Sequence, residues 1–126
     1  MMKTLGLFLI AACALSAAGI ALAAGSTVVV YPEGVSTPVT LTLLARDGKV
    51  GRDNPFYDNY RPQVQFSAEP HVVTCTVRVP QALEKVEPGQ TAELNLVCSE
   101  KFKTRSDQKA FVVFEGGRKV AVGTLK

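Results

Sequence analysis

The chain has 126 residues, 47% of them hydrophobic and 20% charged, with 14 Lys and Arg against 11 Asp and Glu and a single His. That length holds one domain at most, with a modest core. The weak positive charge falls well short of a nucleic-acid footprint, and no Cys/His cluster has zinc spacing.

The first 24 residues read as a segment apart from that domain. Lys3 supplies a short positive region, Leu5–Ala24 is apolar, and Ala21-Leu22-Ala23-Ala24-Gly25 places small residues for cleavage after Ala23 or Ala24. This is the secretory signal-peptide pattern, and it implies a periplasmic or secreted domain. An uncleaved membrane anchor is the alternative, since about 20 apolar residues can span a bilayer. Ile10-Ala11-Ala12-Cys13 also has the look of a lipobox, but it would leave only Leu5–Leu9 before the cysteine and an apolar run after it. Removing 24 of the 126 residues leaves 102, carrying 13 basic and 11 acidic side chains.

From Thr27 onward the pattern is that of strands, read from period-two alternation and turn residues. Thr27–Tyr31 is a β-branched run closed by Pro32-Glu33-Gly34. Val39–Arg46 places Val39, Leu41, Leu43 and Ala45 on one face. Asp47-Gly48 then opens a polar, turn-rich stretch, GRDNPFYDNYRPQVQF from Gly51 to Phe66. Its prolines fix φ and its Asp and Asn side chains bond nearby backbone, so an ordered loop is expected. Phe56, Tyr57, Tyr60 and Phe66 are expected to pin that loop to a barrel or sheet, being costly to leave in water.

Gln63–Ala68 resumes as a strand. Val72–Val79 alternates with Val73, Cys75, Val77 and Val79 inward, and Thr91–Cys98 with Ala92, Leu94, Leu96 and Cys98 inward. Between those two runs Pro80–Gln90 reads as a loop, ending in Pro88-Gly89. Ser99–Lys109, with Lys101, Lys103, Arg105 and Lys109, reads as a solvated polar loop. Lys109–Glu115 and Arg118–Leu125 flank Gly116-Gly117, a two-residue hairpin signal. Six or seven short strands and no helical period after the leader argue an all-β barrel or sandwich.

Cys13 would leave with the leader, so Cys75 and Cys98 remain on the apolar faces of their strands. A disulfide across the core, two buried thiols and a reactive pair all fit, and an oxidising compartment favours the disulfide. The lack of CxxC spacing weakens a redox role.

Several motifs together resemble the C-terminal domain (domain 3) of bacterial elongation factor Tu. They are Gly51-Arg52 with Asn54-Pro55-Phe56, Tyr60-Arg61-Pro62-Gln63 leading into a strand, Thr74 and Thr76 followed by Val79-Pro80, the Pro88-Gly89 turn, and Phe114-Glu115-Gly116-Gly117-Arg118. They occur in the family's order from about Thr37 to Leu125. The resemblance implies a six-stranded antiparallel Greek-key barrel over 37–126, with 25–36 as a lead-in strand or linker.

It also implies a binding surface, the aminoacyl-tRNA side of the family's domain, at Arg52, Asp53, Gln63, Thr74 and Gly116. Three departures bear on that inheritance. Asp53 stands where the family commonly has His, and a carboxylate repels a phosphodiester. Phe114 replaces the Arg before Glu-Gly-Gly, and Cys75 replaces a Gly.

No GxxxxGK[ST] phosphate cradle is present, so no GTP binding is expected. His71 has no visible catalytic partner, and Asp53 and Asp58 in an Asn/Pro-rich loop are turn formers before they are metal ligands. The expectation is a non-catalytic exported module with no cofactor and no metal, binding protein through the Gly51–Tyr60 loop and the Gly116-Gly117 hairpin. The alternative is a translation-related domain binding aminoacyl-tRNA or another RNA. A membrane contact is expected only if the leader stays uncleaved.

Overall fold

Alternation of buried and exposed residues runs through the longest strands and closes them into a barrel. The computed structural model describes residues 26–126. The expected signal peptide, 1–24, lies outside the described residues. There are ten strands and, among the described residues, no helix: β1 (Val28–Tyr31), β2 (Ser36–Leu43), β3 (Phe56–Tyr57), β4 (Gln63–Gln65), β5 (Val73–Arg78), β6 (Lys85–Val86), β7 (Thr91–Cys98), β8 (Phe102–Arg105), β9 (Ala110–Glu115) and β10 (Arg118–Leu125).

Six of them form a closed barrel in the order β10-β2-β7-β5-β4-β9. Every neighbouring pair is antiparallel. Closure leaves the barrel no unpaired edge. Its interior takes the inward residue of each dipeptide, including Leu41 and Leu43 of β2, Val77 of β5, Leu96 of β7 and Val113 of β9, all at most 1% exposed. The inward sets expected for β5 and β7 are all buried.

Four details differ from the expectations. The run at 39–46 begins earlier, at Ser36, and ends at Leu43; Ala45 is exposed and only bridges Arg52. The loop at Pro80–Gln90 contains β6, which pairs with β3. The polar loop at Ser99–Lys109 contains β8, whose Phe102 and Thr104 are buried while Lys103 and Arg105 face water. Finally, the strand expected over Gln63–Ala68 stops at Gln65, while the short strand expected at Thr27–Tyr31 is formed as β1, which pairs with β8 in a separate two-stranded sheet. Tyr31 stacks on Phe102 at 4.8 Å, and Phe102 stacks on Phe66 at 3.8 Å, tying that sheet to the barrel end. Buried Thr104 is satisfied by the Gln108 carbonyl at 2.9 Å and the Ser67 hydroxyl at 2.7 Å.

Cys75 and Cys98 are register partners on adjacent strands and form a disulfide, with Cα atoms 3.9 Å apart. The Cys75 amide donates to Pro62 on the opposite side, so this is a non-hydrogen-bonded pair, the position where opposed side chains come closest. Of the three readings the cysteines allowed, the bond is the one formed. It staples neighbouring strands and does not cross the core.

The β9–β10 hairpin turns on Gly116 (φ 58°) and Gly117 (φ 80°), two positive φ values in succession as a type I′ turn needs. A β-bulge follows at Val120: Lys119 opposes Phe114, whereas Ala121 already opposes Val113. The extra residue turns both Val120 and Ala121 inward. It also frees the Lys119 and Val120 carbonyls, which accept the amides of Gly51 (2.8 Å) and Leu44 (2.9 Å). The bulge therefore docks the 44–54 segment on the barrel.

Candidate functional site

The stretch from Gly51 to Phe66 is fixed at each turn. Gly51 has φ 86°, and a Cβ there would meet the Ala45 carbonyl oxygen at 2.1 Å. Only glycine permits so close a backbone approach. Arg118, just past the hairpin, closes over the same residues. Its Nε donates to the Gly51 carbonyl at 2.7 Å, and its Nη2 donates to those of Gly48 and Val50 at 2.8 and 3.0 Å.

Arg52 then reaches back to the hairpin. Its Nη1 donates to both Glu115 carboxylate oxygens at 2.5 and 2.8 Å, while Nε and Nη2 donate to the Asn54 and Pro55 carbonyls. The guanidinium lies 5.2 Å from the Tyr60 ring centroid, a cation–π contact. Burial, with a smaller push from Glu115, raises the Tyr60 hydroxyl from 10.0 to about 12, against the pull of Arg52.

Further along, Phe56 is buried and stacks on Tyr60 at 4.5 Å. Tyr57 departs from the expectation that all four aromatics anchor the loop, since it points outward and is 53% exposed. Being adjacent to Phe56 on a two-residue strand, it must take the opposite face. Asp58 receives Nε and Nη2 of Arg78 at 2.9 and 3.1 Å and the Val79 amide at 2.9 Å. The Arg78 hydrogen bond, then the Val79 amide, hold its carboxyl below the usual 3.8. Asp58 is thus a backbone and arginine acceptor in this loop.

Of the five candidate surface residues, Gln63 and Thr74 lie on barrel strands, Gly116 in the hairpin turn, and Arg52 and Asp53 in the loop docked beside it. Register sets Thr74 beside Gln63 and Gln63 beside Phe114, a row across β5, β4 and β9. That row and Gly116 line a shallow groove of about 350 Å³ together with Tyr60 and Glu115. Arg52 and Asp53 line a second groove of about 290 Å³, with Arg46, Arg118 and again Glu115. Glu115 is the shared wall between the two. Sequence reasoning did not single out Glu115 or Arg118 as site residues, although both lie in the motif that carries the resemblance.

Three of the four arginines lining these grooves have partners, whereas Arg61, exposed in the first groove, makes no ion pair or side-chain hydrogen bond among the described residues. Arg52 is held by Glu115, Arg118 by three carbonyls, and Arg46 lies 3.3 Å from Asp53 in an exposed pair worth little. Elsewhere, a larger concavity of about 690 Å³ lies beside the Asp58–Arg78 pair and is lined also by Pro80, Gln81, Glu84 and Asn95. His71 is exposed at the approach to β5. Among the described residues no three His, Cys, Asp or Glu side chains are grouped to hold a metal ion.

The chain matches no protein-family model.

Proposed function

We propose that this chain is an exported, non-catalytic binding domain on a Greek-key barrel similar to domain 3 of elongation factor Tu. Its protein partner docks on the face carrying Arg52, Asp53, Gln63, Thr74 and Gly116. The observation that carries this reading is the continuity of that face, two shallow grooves joined at Glu115. Its scaffold is a loop clamped by Arg52 and Arg118, so little ordering cost remains at binding.

The state of the arginines favours protein over RNA. A phosphate-reading surface needs free cations. Here Arg52 and Arg118 are spent on the fold and Asp53 adds a carboxylate, leaving Arg61 as the one arginine of the two grooves without a partner among the described residues. The disulfide between two buried cysteines is compatible with an oxidising compartment.

Crosslinking in the exported compartment, followed by pull-down, tests the reading. One defined partner captured by the native protein and lost from Gln63→Arg and Thr74→Arg variants of unchanged melting temperature supports it. Equal capture by the variants refutes this face. Binding of tRNA at low salt that collapses at moderate salt would replace the reading with the RNA alternative.

A further inference from the structure

The edge of β1 offers a second and different surface. Lys103 and Arg105 donate their amides away from β1, to the Glu69 carboxylate and the Ser67 hydroxyl, both at 2.7–2.9 Å. The β1–β8 register therefore bonds Val29 to Thr104 and Tyr31 to Phe102, while Val28 and Val30 turn their N–H and C=O groups outward. Among the described residues β1 pairs with β8 alone. The side chains of Val28 and Val30 are 52% and 56% exposed, so edge and face are both open and apolar. Within Val28–Tyr31 there is no charge, proline or bulge of the kind that blunts a free edge.

We propose that β1 is the seat of a weak two-fold homodimer, in which two copies pair their β1 edges antiparallel into a β8-β1-β1-β8 sheet. The register follows from parity. Outward groups sit at 28 and 30, so Val28 of one copy faces Val30 of the other, with Val29 on the two-fold axis. Shifting one way sets Val28 against Pro32, which has no N–H; shifting the other sets Val30 against Ser26, outside the strand. The chosen register completes about four backbone hydrogen bonds and packs four valines on one face.

Charge permits the pairing. Around the edge Lys101, Lys103 and Arg105 are balanced by Glu69, Glu100 and Asp107, with Arg105 and Asp107 3.8 Å apart. The β8 cations of the two copies would lie about three strand spacings apart, roughly 14 Å, beyond a Debye length of about 8 Å. A single four-residue edge is far smaller than a standard interface, so the dimer is concentration-dependent.

The test takes protein expressed from its full coding sequence through sedimentation velocity and amide hydrogen exchange, from about 1 μM to about 1 mM. The expected result is a monomer at the low end and a dimer at the high end, with protection at Val28 and Val30 rising alongside. Val30→Pro removes an outward donor that β8 does not use, and should weaken dimerisation at least tenfold. Val28→Lys should weaken it without touching the backbone. Protection retained at Val29 and Tyr31 shows that β1 is still formed in each variant. A monomer throughout, a dimer that survives both substitutions, or protection of Val28 and Val30 that is independent of concentration overturns the proposal.

Discussion

Arg52 and Glu115 are 63 residues apart in sequence, yet one guanidinium nitrogen of Arg52 contacts both carboxylate oxygens of Glu115. The contact joins the long loop to the last hairpin and forms the ridge between the two grooves. Because Arg52 also bonds two loop carbonyls and covers Tyr60, it acts as the loop's internal scaffold.

Arg52→Ala should therefore destabilise by about 1–3 kcal/mol, the range for losing hydrogen bonds to a charged group. Arg52→Lys should recover only part of this, since an ammonium cannot reach carboxylate, carbonyls and ring from one planar fork. Urea midpoints of the two variants check both statements; full recovery by Lys would show that charge alone matters.

The glycines should separate by environment. Gly51→Ala drives a Cβ into the Ala45 carbonyl at 2.1 Å while keeping a positive φ, and should cost more than about 3 kcal/mol or prevent folding. At Gly116, φ is +58° with open space around the Cβ position. Gly116→Ala should therefore cost only about 1–2 kcal/mol, and Gly116→Asn less, as Asn tolerates that conformation. Thermal melts of the three variants rank them.

For the disulfide, thiol titration of the unfolded, unreduced protein should find no free Cys75 or Cys98. Reduction, or replacement of both by Ala, should lower stability by about 3 kcal/mol in the chain-entropy model, given the separation of 23 residues. Stability unchanged by reductant would mean that the reduced chain is already constrained by the β5–β7 pairing.

Alkaline and acid limbs of the stability curve have named sources. Tyr60 has its pKa raised to about 12, so the unfolded chain ionises first. Stability should fall as pH rises above about 10, levelling near 12, and Tyr60→Phe should remove that component. Asp58 is depressed below 3.8, so its contribution is present above that value and lost as pH falls through the folded pKa. Asp58→Asn should flatten the acid limb. Melting temperature against pH reads both.

Protein recovered from the exported compartment should begin at Ala24 or Gly25. N-terminal sequencing checks this, and an intact Met1 in the membrane fraction would refute cleavage.

Strands long enough to show alternation were legible. β7 spans Thr91–Cys98 as expected, and β5, β9 and β10 fall within a residue at each end. β3 and β6 have two residues each, too few to carry a period, and their pairing brings together segments 29 residues apart. β8 was hidden for another reason. Its outward residues are Lys103 and Arg105, and its inward ones are Phe102 and Thr104, so cations masked a half-buried strand. The same limit applied at Tyr57, where aromatic content suggested burial and the position on the pleat decided against it.

By itself the sequence determined which of the longer segments extend and which side of each faces inward, because alternation and turn chemistry are local properties. It also contained every residue of the candidate face and both cysteines. Only the tertiary structure decided that Cys75 opposes Cys98, that Glu115 and Arg118 clasp the Gly51–Arg52 turn, and that β1 pairs, among the described residues, with β8 alone and outside the barrel. These depend on which strands become neighbours and in what register. Barrel closure makes β5 and β7 neighbours and the extra residue at Val120 docks the Gly51 turn, and no local pattern records either.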